Sequence, residues 1–260
     1  MSDKKDIGWL NARRRRILAA RVILALTAIS VLACPSARAQ QRYSKNFQAS
    51  KILQVTNVSG SIRVEVWNRN EIKVTAELEA PAARLQILPV SGADALVVTV
   101  GCDNRGRGEC GDVNFRLFVP AASSVDVETK RGNIFISGVR GEMVRAHVFD
   151  GEIELISLRA VKVLAKNITG NIFFDGELLP GGKYDLESTQ GDINIRIPSS
   201  SAFQLIATAP LTRRIDLGGF ASLFKFEGGD WKRKLIGNVG GGRASLNVMS
   251  QRGPIAFMPR

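Results

Sequence analysis

Apolar residues in this chain recur at every second position, around glycines that return at a nearly fixed distance. Aligned on Gly60, Gly132, Gly151, Gly170 and Gly191, the second residue after the glycine is Ile62, Ile134, Ile153, Ile172 and Ile193. The fourth is Val64, Ile136, Leu155, Phe174 and Ile195. Seven positions upstream stand Leu53, Val125, Val144, Val163 and Tyr184, and five upstream Val55, Val127, Ala146, Ala165 and Leu186. A period of two on both sides of a glycine predicts strand, turn, strand, with one face of each strand apolar. From Gly132 through Gly151 and Gly170 to Gly191 the glycine returns about every 20 residues. A unit this short cannot bury its own apolar face and must stack on its neighbours. The pattern predicts an all-β fold, a flattened single-chain β-solenoid of about 20-residue repeats.

Outside this stretch the rhythm changes. From Phe47 to about Val119 the strands are longer, and Ile62–Val66 and Ile72–Ala76 alternate strictly across a segment, Trp67 to Glu71, that reads as a hairpin turn. Two further strands near Leu85 to Leu88 and Ala95 to Val100 flank the turn Ser91-Gly92-Ala93-Asp94. This region, residues 40–120, is expected to be an antiparallel β cap that includes the first repeat, with the solenoid occupying 121–260. Solenoids need atypical ends, because an open coil exposes apolar core and unpaired strand edges. After Ser201 the repeat loosens: Phe203-Gln204-Leu205 can open a coil, 211–221 departs from the template, and Trp231 to Ile236 resumes a strand. A last unit returns at Gly253, with Leu246 and Val248 before it and Ile255 and Phe257 after it. The chain shows no long amphipathic helix.

The amino-terminal segment, 1–39, follows another pattern. Arg13 to Arg16 precede an apolar run from Val22 to Ala33, followed by Pro35 and Ala37-Arg38-Ala39. A basic start, a short apolar stretch and an A-x-A site mark a secretory signal peptide with cleavage expected before Gln40. The run is too short for a membrane anchor of about 20 residues, so no transmembrane helix is expected in the mature chain. Arg14-Arg15-Arg16-Ile17-Leu18 also fits a twin-arginine signal, and Val31-Leu32-Ala33-Cys34 resembles a lipoprotein box, although Leu32 and Pro35 fit it poorly. The chain is therefore expected to be exported, to the periplasm or the cell surface. Removing the signal lowers the formal charge from +12 to +6, which takes away most of the support for a nucleic-acid partner. It also leaves two cysteines, Cys102 and Cys110, in a Gly-rich loop, where an oxidising compartment favours a disulfide contributing about 2–3 kcal/mol.

The repeated Gly-x-Ile-x-Ile units, the opening Gln54-Val55-Thr56-Asn57-Val58-Ser59-Gly60-Ser61-Ile62 and the closing Ile236-Gly237-Asn238-Val239-Gly240-Gly241-Gly242 resemble the bacterial putative-adhesin family of unknown function. The resemblance covers most of 47–257 and implies an exported β-solenoid whose ligand the family label does not define. The chain departs from the family pattern at Gly253-Pro254, where an acidic residue usually follows the glycine. Proline cannot donate to a ladder and suits an edge or terminal coil.

Candidate chemistry adds little. The single histidine, His147, lies on an outward strand position, so histidine-based zinc sites are not expected. Gly106-Arg107-Gly108-Glu109-Cys110-Gly111 matches a dinucleotide fingerprint by letter but lacks its strand–turn–helix context. Asp150, Glu152, Glu154, Asp175, Asp185 and Asp192 could include a carboxylate pair of the kind glycoside hydrolysis uses. The plainer reading is an outward polar row, since the residue after the glycine is Ser61, Asn133, Glu152, Asn171 and Asp192. Neither a cofactor nor a metal is called for. The expected function is non-enzymatic: an adhesin or cell-envelope scaffold contacting macromolecules, polysaccharide or protein, along its stacked faces. The alternatives are a carbohydrate-active β-helix enzyme and a self-assembling scaffold. The expected structural positions are the turn glycines Gly60, Gly132, Gly151, Gly170, Gly191 and Gly253 and the core isoleucines Ile62, Ile134, Ile153, Ile172, Ile193 and Ile255.

Overall fold

In the computed structural model of the chain, residues 41–79, 84–90, 94–101, 111–230 and 232–260 are described, with the side chains of 84–90 and 213 excepted. The signal-peptide segment, Cys102 and Cys110 lie outside the described residues. The alternating pattern folds as strands throughout. The first are β1 (Gln41–Gln48), β2 (Ile52–Ser59), β3 (Ile62–Val66), β4 (Glu71–Leu78), β5 (Arg84–Val90), β6 (Ala95–Gly101) and β7 (Val113–Val119). Four long–short pairs follow: β8 (Ser124–Arg131) and β9 (Ile134–Ser137), β10 (Met143–Asp150) and β11 (Ile153–Leu158), β12 (Lys162–Thr169) and β13 (Ile172–Gly176), β14 (Lys183–Gln190) and β15 (Ile193–Ile197). The remainder are β16 (Phe203–Thr208), β17 (Ile215–Asp216), β18 (Phe224–Gly228), β19 (Lys234–Val239), β20 (Ala244–Ser250) and β21 (Ile255–Pro259).

Each pair is one coil of a β-solenoid. The long strands β2, β8, β10, β12, β14 and β20 stack in parallel within an eleven-stranded sheet, and the short strands β3, β9, β11, β13, β15 and β21 within a ten-stranded one. Ile62, Ile134, Ile153, Ile172, Ile193 and Ile255 stand side by side in the short-strand sheet, and all six are fully buried. Val125, Val144, Val163, Tyr184 and Leu246 form the matching column in the other sheet. Burying each of these side chains contributes about 1.5–3 kcal/mol. A register slip of one position would turn the whole column to solvent.

At both ends the order in space departs from the order in the chain. β6 and β7 lie parallel on the outer side of β2 and β3, so the first coil in the chain is the second in space. At the other end β20 runs parallel between β14 and β16, and β21 between β15 and β17, so the last coil inserts beneath a strand formed earlier in the chain. The expected hairpin across 67–71 is corrected for the same reason: β3 and β4 are not partners. β7 lies between them, parallel to β3 and antiparallel to β4. Alternation identifies a strand but not which neighbour its edge will meet. The pairing of β5 with β6 is antiparallel, and the strand expected at 231–236 runs instead over Lys234–Val239.

Each end is closed by side chains as well as by strands. Beyond β7, the strands β4 and β1 continue the short-strand sheet, with Tyr43 and Phe47 packed on the core. At the far end a 3-10 helix, Gly218–Leu223, buries Phe220 edge-on against Phe203 at 5.7 Å, and Phe203 stacks on Phe257 at 6.0 Å.

The glycine corner is the tightest contact between coils. A Cβ on Gly132 would overlap the Gly60 carbonyl oxygen. The same relation holds for Gly151 on Gly132, Gly170 on Gly151, Gly191 on Gly170 and Gly253 on Gly191. Gly170 also has φ +126°, a backbone region that side chains strain. Three positions before each glycine a buried side chain sits beneath the corner: Asn57, Thr129, Val148, Asn167, Ser188 and Ser250. Asn57 Nδ2 donates to the carbonyls of Gly60 (3.2 Å) and Val113 (2.9 Å), Ser188 Oγ to that of Gly170 (3.2 Å), and Ser250 Oγ to that of Gly191 (3.0 Å). At the opposite corner the buried Tyr184 hydroxyl accepts from the Leu179 N–H (2.7 Å) and donates to the Ala160 carbonyl (2.9 Å).

Gly170→Ala should lower stability by about 2–4 kcal/mol, because it combines backbone strain with overlap of a fixed carbonyl. Gly181→Ala, at φ +76° but with open space around the position, should cost only about 1–2 kcal/mol. Thermal denaturation of the two variants checks this, and equal losses would mean that the corner contact is not limiting. Burial holds the Tyr184 phenol above its ordinary value of 10.0. The unfolded chain therefore releases that proton first as pH rises, and stability present below about pH 10 declines above it. Tyr184→Phe should lower the melting temperature at neutral pH and flatten its decline between pH 9 and about 11.

Candidate interaction faces

Since the coils bury one side of each strand, the other side forms two open faces with side chains in rows along the stack. On the long-strand face, neighbouring coils place opposite charges together at three positions, while Lys162 stands beside Lys183. Arg145 meets Asp126 at 3.3 Å, Lys166 meets Glu187 at 3.1 Å, and His147 Nδ1 lies 3.9 Å from Glu128. Asp185 accepts from Asn247 Nδ2 at 3.2 Å. His147 is thus a half-buried outward residue beside a carboxylate and the ring of Phe149, 5.4 Å away.

The residues that follow the turn glycines form a second row along the corner. The Asn133 side-chain oxygen accepts from the Glu152 N–H (2.9 Å), Asn171 Nδ2 donates to Glu152 (3.2 Å), and the Asn171 oxygen accepts from the Asp192 N–H (2.9 Å). Asn114 begins the row by accepting from both the N–H and the hydroxyl of Ser61. Pro254 stands at the next position, where the backbone offers no N–H to continue it.

The short-strand face is different in kind. Arg63 and Arg116 stand directly beside each other on β3 and β7, and both reach the single carboxylate of Glu65, at 3.9 and 3.0 Å. Like charges side by side on adjacent strands destabilise unless something neutralises them. Each arginine also lies over an aromatic ring, Arg63 over Phe135 at 4.0 Å and Arg116 over Phe118 at 5.1 Å, and Phe118 stacks on Trp67. Together with Arg42, Glu77, Ser61 and Asn114 they line an open cleft of ≈ 450 Å³. Further along the same face Arg196 covers Phe173 and pairs with Asp175 at 2.6 Å, while Arg260 reaches the other Asp175 oxygen at 3.2 Å. Asp175 is only 3% exposed beneath the two guanidiniums.

Of the six carboxylates noted in the sequence, Glu152 and Asp192 sit in the corner row, Asp185 on the long-strand face and Asp175 in its arginine clamp, while Asp150 ends β10 and Glu154 lies exposed on β11. Among the described residues no group of three or more His, Cys, Asp or Glu is placed to hold a metal ion. No described helix is long and apolar enough to cross a membrane. The Arg63–Arg116 juxtaposition escaped the sequence reading because it joins strands distant in the chain. The only local signal was the alternation of Arg with Glu in β3.

A family model described as Toastrack DUF4097 matches residues 51–209, more than half of the chain. No curated protein matches the chain. Among solved structures, a putative cell adhesion protein from Clostridium sporogenes aligns at 11% identity and TM-score 0.46, covering 84% of this chain and 97% of its own. A putative adhesin from Bacteroides fragilis aligns at 8% identity and TM-score 0.36, covering 85% and 97%. One from Parabacteroides distasonis aligns at 9% and 0.23, covering 85% and 98%. These likenesses are too distant to carry a functional conclusion.

Removing the anion from the arginine clamp should be costly. Asp175→Ala leaves two guanidiniums facing each other and should destabilise by about 2–3 kcal/mol, with Asp175→Asn intermediate. Chemical denaturation of the two variants checks the order, and an unchanged midpoint for Asp175→Ala would show that the clamp contributes nothing.

Proposed function

Given that the chain belongs to the Toastrack DUF4097 family, we propose that it is a non-enzymatic extracytoplasmic β-solenoid, an adhesin or envelope scaffold that binds macromolecules along its stacked faces. The observation that carries this reading is the pair Arg63 and Arg116, which share one carboxylate on an open sheet between Phe135 and Phe118. Guanidiniums with unspent donors suit carboxylates of an acidic polysaccharide or of a protein surface. The flanking rings add apolar contact to sugar or side chain. Single contacts of this kind are weak, and a stack of coils multiplies them along an extended ligand. Export through the amino-terminal segment, cleavage before Gln40 and a Cys102–Cys110 disulfide are the setting in which this function would operate. The extent of the cap, 40–120, and of the repeat domain, 121–260, belongs to the same proposal.

The test is retention of the protein on immobilised acidic envelope polysaccharides and on extracted envelope proteins. Arg63→Ala/Arg116→Ala should weaken retention about tenfold or more while leaving the thermal transition in place. Retention unaffected by that pair, or turnover of the polysaccharide lost on replacing a single carboxylate, would overturn the proposal.

A further inference from the structure

The positive charge of the chain is unevenly placed. The stretch 40–200 contains nineteen Lys/Arg and nineteen Asp/Glu, whereas 201–260 contains nine and three. The whole +6 that remains once 1–39 is set aside therefore belongs to 201–260. That stretch builds the far end of the stack, where β18 and β17 are the edges of the two sheets.

Two structural features separate this charge from an ordinary solvated surface. On the coils Arg145–Asp126, Lys166–Glu187 and Arg159–Glu177 match basic side chains to acids, while Lys130, Arg140, Lys162 and Lys183 are exposed and, among the described residues, form no ion pair. At the far end Arg214, Lys225, Lys232, Arg233 and Lys234 are exposed, and among the described residues none of them forms an ion pair. The nearby acids serve the backbone or another side chain: Asp216 accepts from the Gly218 N–H, Asp230 from the Lys232 N–H, and Glu227 from Asn238. The second feature is apolar. Of the six large hydrophobic side chains strongly exposed among the described residues, four lie here, including Leu211, Phe226 and Leu223, the last 53% exposed. The backbone brings them to the cations. The Thr212 N–H donates to the Lys232 carbonyl, the Ala209 N–H to that of Arg233, and Lys234 stands opposite Thr208. Phe226 and Lys225 share the edge strand paired with β19.

Lysine on an edge strand is a common guard against strand-to-strand aggregation. That role is served by charge alone and is weakened by leaving leucine and phenylalanine exposed beside it. Cations that form no ion pair, next to exposed apolar side chains, match the surface of an anionic bilayer. We infer that the far end of the solenoid, formed by 209–230 and 232–234, docks on anionic lipid headgroups. This goes beyond binding along the faces and uses none of the residues proposed there.

The experiment is co-sedimentation of the full chain with vesicles of phosphatidylglycerol and phosphatidylcholine, against pure phosphatidylcholine. Binding is expected only with the anionic lipid, falling as salt is raised. Each cation near such a surface contributes about fivefold, so Lys232→Glu/Arg233→Glu/Lys234→Glu should reduce partitioning at least about a hundredfold. Leu211→Ser/Leu223→Ser should reduce it severalfold without changing its salt dependence. Arg13→Glu/Arg14→Glu/Arg15→Glu controls for the basic amino-terminal segment. If the first triple variant loses its cooperative thermal transition, Arg214→Glu/Lys225→Glu makes the same comparison elsewhere on that end. Equal binding to neutral vesicles, loss that follows Arg13–Arg15 instead, or indifference to reversal at 232–234 would overturn the inference. So would equally tight binding to a soluble acidic polysaccharide that displaces the vesicles, since the surface would then belong to that polymer.

Discussion

The structure depends on how closely one glycine can lie on the carbonyl of the glycine in the next coil. Strands in a sheet are about 4.8 Å apart, and a solenoid must hold that spacing through its corners as well as along its strands. At the Gly60-to-Gly253 corner there is no room for a Cβ, so glycine is the residue that lets the chain turn without pushing the coils apart. The glycine carbonyls approached in this way point into the stack and need donors. The side chains of Asn57, Ser188 and Ser250 supply them from buried positions. With the corner fixed, register follows, and with register the isoleucine column and the rows on both outer faces.

A stack of identical coils has no intrinsic stopping point, and the two ends solve this in related ways. At each, the outermost parallel coil is contributed by a segment that travels outward while the neighbouring position is filled by a segment earlier or later in the chain. β2 and β3 are enclosed by β6 and β7, and β20 and β21 are enclosed by β16 and β17. Each terminal repeat thereby gains a partner on both sides and is not left as an open edge. The strands outside them turn antiparallel or, at β17, shorten to a single Ile-Asp pair, and Phe220 fills the end of the interior. These devices stop growth by changing the direction of pairing and by removing the apolar end.

The repeating coils were legible in the sequence because parallel in-register stacking gives the same residue the same environment in every coil. Ile134, Ile153, Ile172 and Ile193 recur at one offset from a glycine because they occupy one column. The ends were not legible to the same degree. Alternation in Ile62–Val66 and Ile72–Ala76 suggested partners, yet the strand that separates them, Val113–Val119, lies far along the chain. Loop closure across that distance leaves no local trace in residue type. The buried Asn57, Asn167 and Ser188 are hidden in the sequence for a related reason: a polar residue at an inward position contradicts the apolar pattern until the carbonyl it serves can be seen. Arg63 is outward by the alternation of Ile62–Val66, and only the topology makes Arg116 its neighbour.

Parallel stacking imposes a further constraint on charge. Because each outward row collects the same offset from successive coils, a charge repeated in every coil would face its own kind at strand spacing. The long-strand face largely avoids this by alternating sign, Asp126 beside Arg145 and Lys166 beside Glu187. The corner row avoids it by placing asparagine between Glu152 and Asp192. Arg63 beside Arg116 and Lys162 beside Lys183 break the rule, and the cations of 214–234 have no acid matched to them. Where the rule is broken, like charges lie together with donors left over. Mutual repulsion there is the cost of leaving donors unspent. At Arg63 and Arg116 the shared carboxylate of Glu65 relieves part of it.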